Sequence, residues 1–437
     1  MLIQFEPIQS PSRIATLSLA LFVATLTGHG EAWAGGNVYP PRATSVLTQS
    51  SDPTRWQGIG ALQFAQAAHS ARAGKTDAAR RAYDRHDWKA ALAIWFELAD
   101  DGDPEAQNML GVMYENGKGV TQDLAKAAEW YRMAANQGFA NAQLNLGVLY
   151  ENGEGVAKND ATAARWYRKA AAQGELLAQF TLGIMYRQGR GVPQDNNQAA
   201  RWLSVVAERG YAIGQVNLAF MYADGIGVPQ DDSAAEKWFR KAADQNHPVA
   251  QNNLGLLYAA GRQVKQDYAE AVRWYRMAAA QNLANAQFNL ATHYESGKGV
   301  AQSYLEAARW YRRAAQQGEL LAQFKIALMY RSAQGLGANY AKAARWMLLS
   351  AERGHAEAQY NLGQMYAEGQ GLAQDDVQAH MWLDLAATRS SEPKVREDAI
   401  KTRELVSARM SPAQKSEARR RAKAWKPMPN KPFNTPM

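Results

Sequence analysis

The chain has 437 residues, 47% of them hydrophobic and 21% charged, and it contains no cysteine. That excludes thiolate catalysis, thiolate metal sites and disulfide staples, so packing alone must hold the fold. The net charge of +8 is lopsided: 13 of the 49 basic residues but only five of the 41 acidic ones fall in 388–437, and the rest, nearly neutral, offers no basic groove for nucleic acid.

The first element in chain order is a signal peptide over 1–34. Residues 14–26 (IATLSLALFVATL) are all apolar or small, too short a run to anchor in a bilayer, and Ala32-Trp33-Ala34 follows as an A-x-A cleavage site. Arg13 is its only base, opposed by Glu6. Cleavage after Ala34 predicts a periplasmic or secreted protein. A disordered linker is expected over 35–60, where Gly, Pro, Ser and Thr concentrate. N-terminal capping helices are expected over 61–102: a short Ala-rich helix over 62–72, then a pair over 78–86 and 87–99.

From 103 to 390 one pattern repeats eight times. Gln107, Gln143, Gln179, Gln215, Gln251, Gln287, Gln323 and Gln359 stand 36 residues apart, and columns led by Tyr114 and Trp130 keep the same step. A fixed period of this size marks a repeat array whose units bury their apolar faces against their neighbours. Within the first unit, Ala106, Gln107, Leu110, Gly111 and Tyr114 have helical spacing and end at Gly117. A second helix starts at Asp123, in a column continued by Asn159, Asp195, Asp231, Asp267, Ser303, Asn339 and Asp375, all good N-caps. Gln198, Glu270, Glu306 and Gln378 stand where capping boxes need them. Ala127, Trp130 and Ala134 share a face, so a tryptophan of this column such as Trp238 is expected in the core, costing about 3–5 kcal/mol on truncation to alanine. The second helix ends in a column of Gly or Asn, from Gly138 through Asn246 and Asn282 to Gly354.

The motif A-x-A-Q-x-x-L-G-x-x-Y, then G-x-G-V, then A-x-x-W-Y-R-x-A-A-x-x-G resembles the Sel-one-like repeat (SLR), a relative of the tetratricopeptide repeat. The resemblance implies an all-α, right-handed α-α superhelical solenoid of helix-turn-helix units with a concave inner face, used as a scaffold for other proteins. Three departures are expected to soften the array locally: Ala333 and Gln263 in place of loop glycines, and Gly214 in place of the alanine before Gln215.

Beyond the repeats, C-terminal basic capping helices are expected over 391–426, as elements at 384–405 and 411–425, with a disordered tail over 427–437. Ser411 as N-cap with Pro412 after it marks the last helix start. Arg419, Arg420, Arg421 and Lys423 cluster near its end, either as a solvated face or as a contact to an acidic protein or anionic membrane.

No catalytic, cofactor or metal constellation emerges. The seven histidines share no ligand spacing, and the G-x-G loops join helix to helix without the strand a phosphate loop needs. Binding is the better-supported role. Positions one, five and eight after each glutamine share a face of the first helix, and the resemblance to tetratricopeptide repeats lines the concavity with it. The candidates are Phe180, Arg187, Phe220, Phe288, Glu295, Phe324, Arg331, Tyr360 and Gln364. Such a mixed strip suits a helical or extended peptide, and consensus packing explains the same aromatics equally well. The expectation is an exported, non-catalytic scaffold for protein partners in an envelope signalling or assembly complex, without nucleic acid or cofactor. The alternative is a cell-envelope hydrolase acting on peptidoglycan or β-lactam-like substrates, suggested by cysteine-rich repeat relatives whose cysteines this chain lacks.

Overall fold

The 36-residue period becomes a period of helix pairs. A computed structural model describes residues 72–261 and 264–429, and among these residues there are twenty helices and no strand. The expected signal peptide, linker and 62–71, as well as Gln263, lie outside them. The contacts divide the chain into two units, one ending at Gln230 and the other starting at Asp231.

The first unit opens with α1 (72–84) and α2 (Trp88–Asp100), the N-terminal cap. The cap helix α1 covers 72–84 where the sequence suggested 78–86. Repeats follow as α3 (Pro104–Asn116) with α4 (Leu124–Asn136), α5 (Ala140–Asn152) with α6 (Asp160–Ala172), and α7 (Leu176–Gln188) with α8 (Asn196–Glu208). The first helix of repeat four, α9 (Ala212–Asp224), closes this unit.

The second unit holds α10 (Asp232–Asp244), α11 (Pro248–Ala260), α12 (Tyr268–Ala280), α13 (Ala284–Ser296), α14 (Tyr304–Gln316), α15 (Leu320–Ser332), α16 (Tyr340–Glu352), α17 (Ala356–Glu368) and α18 (Asp376–Arg389). Then come α19 (Pro393–Ala408) and α20 (Pro412–Ala424). The helix expected over 384–405 is thus two. Arg389 ends the second helix of repeat eight, and Pro393, whose missing N–H suits a first helical position, opens the next. Met428 donates its N–H to the Glu352 carbonyl at 2.8 Å, so the backbone is still tied to the repeats at a position assigned to the disordered tail; 430–437 lie outside the described residues.

Local chemistry explains the ends. All eight polar N-caps of the second helices accept from backbone N–H groups with their side chains. The expected capping boxes at Glu270 and Glu306 give way to ion pairs with Arg273 and Arg309 one turn on, while Ser411 and Gln414 do form one. Ala333 adopts the left-handed geometry of the glycine it replaces, at φ 60°, so the loop keeps its course.

The core bears out the expectation for tryptophan at Trp274, Trp346 and Trp382, which are buried, and corrects it at Trp238. Trp238 is half-buried under Lys241, whose Nζ lies 4.2 Å from the ring centroid. The fully buried large side chain is the next one: Tyr131, Tyr167, Leu203, Phe239, Tyr275, Tyr311, Met347 and Leu383. Position i+4 from Ala127 lies closer to the centre of the buried face than i+3, and Ala128 and Ala135 are buried too. Glycine on the facing helix makes room, since a Cβ on Gly147 would stand 2.7 Å from the Tyr167 ring. Gly214 has a similar reason. Where six other repeats place alanine, repeat three has Val206, and a Cβ on Gly214 would meet its Cγ1 at 2.6 Å. The departure matches the bulkier neighbour and need not soften the stack.

Candidate functional site

The glutamine column fixes the geometry from which the candidate face is built. Each glutamine is buried and donates to the carbonyl eight residues earlier, on the preceding helix, as Gln143 does to Ala135 at 3.1 Å and Gln359 to Ala351 at 3.1 Å. In six of the eight, Oε1 accepts from a side chain 30 residues later. Gln137, Gln173, Gln281 and Gln317 serve Gln107, Gln143, Gln251 and Gln287 at 2.8–2.9 Å. Arg209 serves Gln179 at 3.5 Å, and Arg353 serves Gln323 at 3.4 Å. Gln359 Oε1 alone of these acceptors is buried without a partner, because Arg389, 30 residues on, lies over Trp425 instead. The second glutamine column was visible in the sequence, and its 30-residue offset was the signal for this ladder.

The tyrosines after the tryptophans add another tie. Tyr131 donates to Glu115 at 2.5 Å, Tyr167 to Glu151 at 2.6 Å and Tyr311 to Glu295 at 2.6 Å. Burial, reinforced by the carboxylate, holds these three phenols well above the ordinary tyrosine range, so they stay protonated donors.

Of the candidate face in the first unit, Phe180 is buried in a cluster with Ile184, Leu203 and Val206. Arg187 is half-buried and donates to Asn217 Oδ1 at 3.3 Å; burial lowers its pKa from the ordinary guanidinium value. Phe220 is half-buried.

In the second unit the strip runs across successive first helices. Phe288 packs 5.6 Å from the Tyr311 ring, and Phe324 is buried with its ring 4.6 Å from His355. Glu295 takes the Tyr311 hydroxyl and Lys325 Nζ, the latter at 3.1 Å, while Arg331 donates to Asn361 at 2.8 Å. Tyr360 accepts from Gln364 at 2.7 Å. Phe180 and Phe324 therefore pack as core. Glu295, Arg331, Tyr360 and Gln364 remain partly exposed, tied to neighbours that hold them in place.

At the C-terminal cap Arg419, Arg420 and Lys423 are exposed, and Arg421 is half-buried. Arg420 and Arg421 share the Glu417 carboxylate, at 2.8 and 2.7 Å, and these bonds pull its pKa down to about 2. Among the described residues no three His, Asp or Glu side chains are grouped to hold a metal ion, and no helix is long and apolar enough to cross a membrane.

Comparison with known proteins agrees with the geometry. The Sel1 repeat model matches eight consecutive segments: 104–139, 140–175, 176–211, 212–247, 248–283, 284–319, 320–355 and 356–391. A crystal structure of a protective antigen of uropathogenic Escherichia coli, described as displaying an SLR fold, is 31% identical with a TM-score of 0.51, over 77% of this chain and 79% of that one. A Sel1 repeat protein from Oxalobacter formigenes is 29% identical with a TM-score of 0.55, over 84% of this chain and 98% of its own. No curated protein sequence matches. The chain belongs to the Sel1 repeat family, tetratricopeptide-like all-α repeats that generally scaffold protein–protein interactions and are typically non-catalytic.

Proposed function

We propose that this chain is an exported, non-catalytic scaffold that binds a protein partner in an envelope signalling or assembly complex. The observation that carries this reading is the strip on successive first helices of the second unit. Glu295, Arg331, Tyr360 and Gln364 differ from repeat to repeat, yet each is held by a neighbour from a fixed architecture. Preorganised side chains of both signs beside partly buried aromatics suit a helical or extended peptide, since little ordering entropy remains to be lost on binding. Export is supported by the apolar run at 14–26 and the Ala32-Trp33-Ala34 site.

The test is a photo-crosslinking residue placed in cells at Gln364 or Tyr360, with Lys169 on a second helix as control. One envelope protein should be captured from the first two positions and not from Lys169, and Arg331→Glu should remove that adduct. Equal capture from all three positions would sink the binding-face claim. Sequencing of the periplasmic form should begin at Gly35; an intact leader on a cytoplasmic protein would sink export.

A further inference from the structure

Near the end of the second unit a recess of about 460 Å³ opens between α16, α17, α18 and α20. Leu348, Tyr366, Met381 and Trp382 form its walls, Trp425 closes one side, and Arg420 and Arg421 stand at its rim. Its origin lies in one broken column. In five other repeats the tyrosine equivalent to Tyr366 accepts from an arginine 18 residues earlier: Arg132 to Tyr150 at 3.3 Å, Arg168 to Tyr186 at 3.0 Å, Arg240 to Tyr258 at 2.5 Å, Arg276 to Tyr294 at 3.1 Å and Arg312 to Tyr330 at 3.0 Å. At Tyr366 that place belongs to Leu348, which is shorter and carries no donor. The space a guanidinium would take is left open beside the apolar side chains of Leu348, Met381 and Trp382.

The rest of the recess suits a side chain from outside. Trp382 is buried, with its indole Nε1 unpaired. Trp425 stands edge-on to it at 6.2 Å, with the Arg389 guanidinium 4.4 Å from the Trp425 ring centroid. The lining contains one carboxylate, Glu352, against Arg420 and Arg421. Elsewhere on α20, Arg419 and Lys423 are exposed and without an ion-pair partner among the described residues. Even with Glu417 counted against its arginines, α20 carries a surplus of positive charge beside the recess.

We propose that this recess and the exposed face of α20 bind an acidic peptide segment of a partner protein, with one aromatic or large aliphatic side chain of that segment seated against Trp382 and Trp425. The basic residues of α20 beyond the two that share Glu417 supply the attraction for carboxylates, and the recess supplies the anchor pocket. A lipid surface fits less well. The exposed face of α20 sets only Pro412, Ala413, Gln414, Ser416 and Ala424 among its bases, with no large apolar side chain to enter a bilayer, and a headgroup needs no recess. The surface shares no residue with the first-helix strip, so either can fail alone.

The experiment is fluorescence anisotropy on the full mature chain. The probe is a labelled peptide of aspartates and glutamates with one central phenylalanine, against the same peptide with alanine. The phenylalanine peptide should bind about tenfold more tightly, and Arg420→Glu, at an exposed position, should weaken both about tenfold. Leu348→Arg restores the consensus and fills the recess, so it should erase the phenylalanine preference while leaving the alanine peptide's affinity in place. Equal affinity of the two peptides for the unaltered chain, or a preference that survives Leu348→Arg, would overturn the proposal. So would binding to phosphatidylglycerol vesicles that excess peptide does not compete away, or self-association that the peptide fails to dissociate.

Discussion

Up to Gln230 the described residues include one histidine, His86, and it is exposed. From Asp231 onward His293 and His380 are buried and His247 and His355 mostly so, all inside or at the ends of helices. The two halves are otherwise built alike. Both use Asp or Asn to start the second helix, both run the glutamine ladder, and both centre the core on the side chain after tryptophan. The consensus thus fixes the packing and is silent about titration, which enters through positions that it leaves free.

The largest expected effect tests whether the packing is shared. Tyr167→Ala in the first half and Tyr311→Ala in the second should each cost about 3–5 kcal/mol, because each removes a fully buried ring facing a small residue together with its hydrogen bond to a carboxylate. Local hydrogen exchange around each site measures the loss. Values differing by more than about 2 kcal/mol would mean that equal sequence columns do not make equal cores.

Acid should separate the halves. Burial lowers the pKa of His247, His293 and His380 and brings that of His355 to about 4. Below about pH 6.5 the unfolded chain takes up protons that the folded second half refuses, so stability fully present at neutral pH is withdrawn as pH falls toward 4. His355 alone withdraws on the order of 3 kcal/mol over that window. Hydrogen exchange at pH 7 and pH 5 should show protection lost in 231–429 and kept in 88–224. His355→Asn retains an N-cap acceptor for the Ala358 N–H and should flatten the pH dependence of Tm. Equal acid sensitivity in both halves would break the comparison.

Much of this was legible in the sequence because repetition averages out local accident. Eight copies of an Asp, Asn or Ser at one position identify a cap more securely than any single residue, and all eight caps form. Periodicity left open which of two adjacent aromatic positions lies deeper in the core. Trp130 and Tyr131 differ by 100° around the helix, and only the facing glycine, Gly111, shows which of them points inward. The candidate face was less legible for a related reason. Phe180 and Phe324 look like binding aromatics in a helical projection, yet the neighbouring repeat covers them, and a projection contains no neighbour.

A smaller effect probes an exception in the first half. Gly214→Ala should cost about 1–3 kcal/mol by overpacking against Val206, and Val206→Ala should relieve that cost when the two are combined. A double-mutant cycle read by denaturant unfolding measures the coupling. Additive losses would show that Gly214 is unrelated to the valine.

The smallest effect concerns where the ladder ends. Gln143 and Gln287 each donate to a carbonyl and accept from a glutamine, so Gln→Leu breaks two bonds at Gln143 and, with the bond to Asn282, three at Gln287. Gln359 donates to Ala351 but its Oε1 has no partner, so Gln359→Leu removes one bond together with an acceptor already stranded. Its cost should be smaller than theirs by about 1 kcal/mol, the net worth of one hydrogen bond. Denaturant midpoints of the three variants measure the difference. An equal cost at all three would mean that Gln359 Oε1 finds a partner in solution, and the cap beside Arg389 and Trp425 would then be where to look for it.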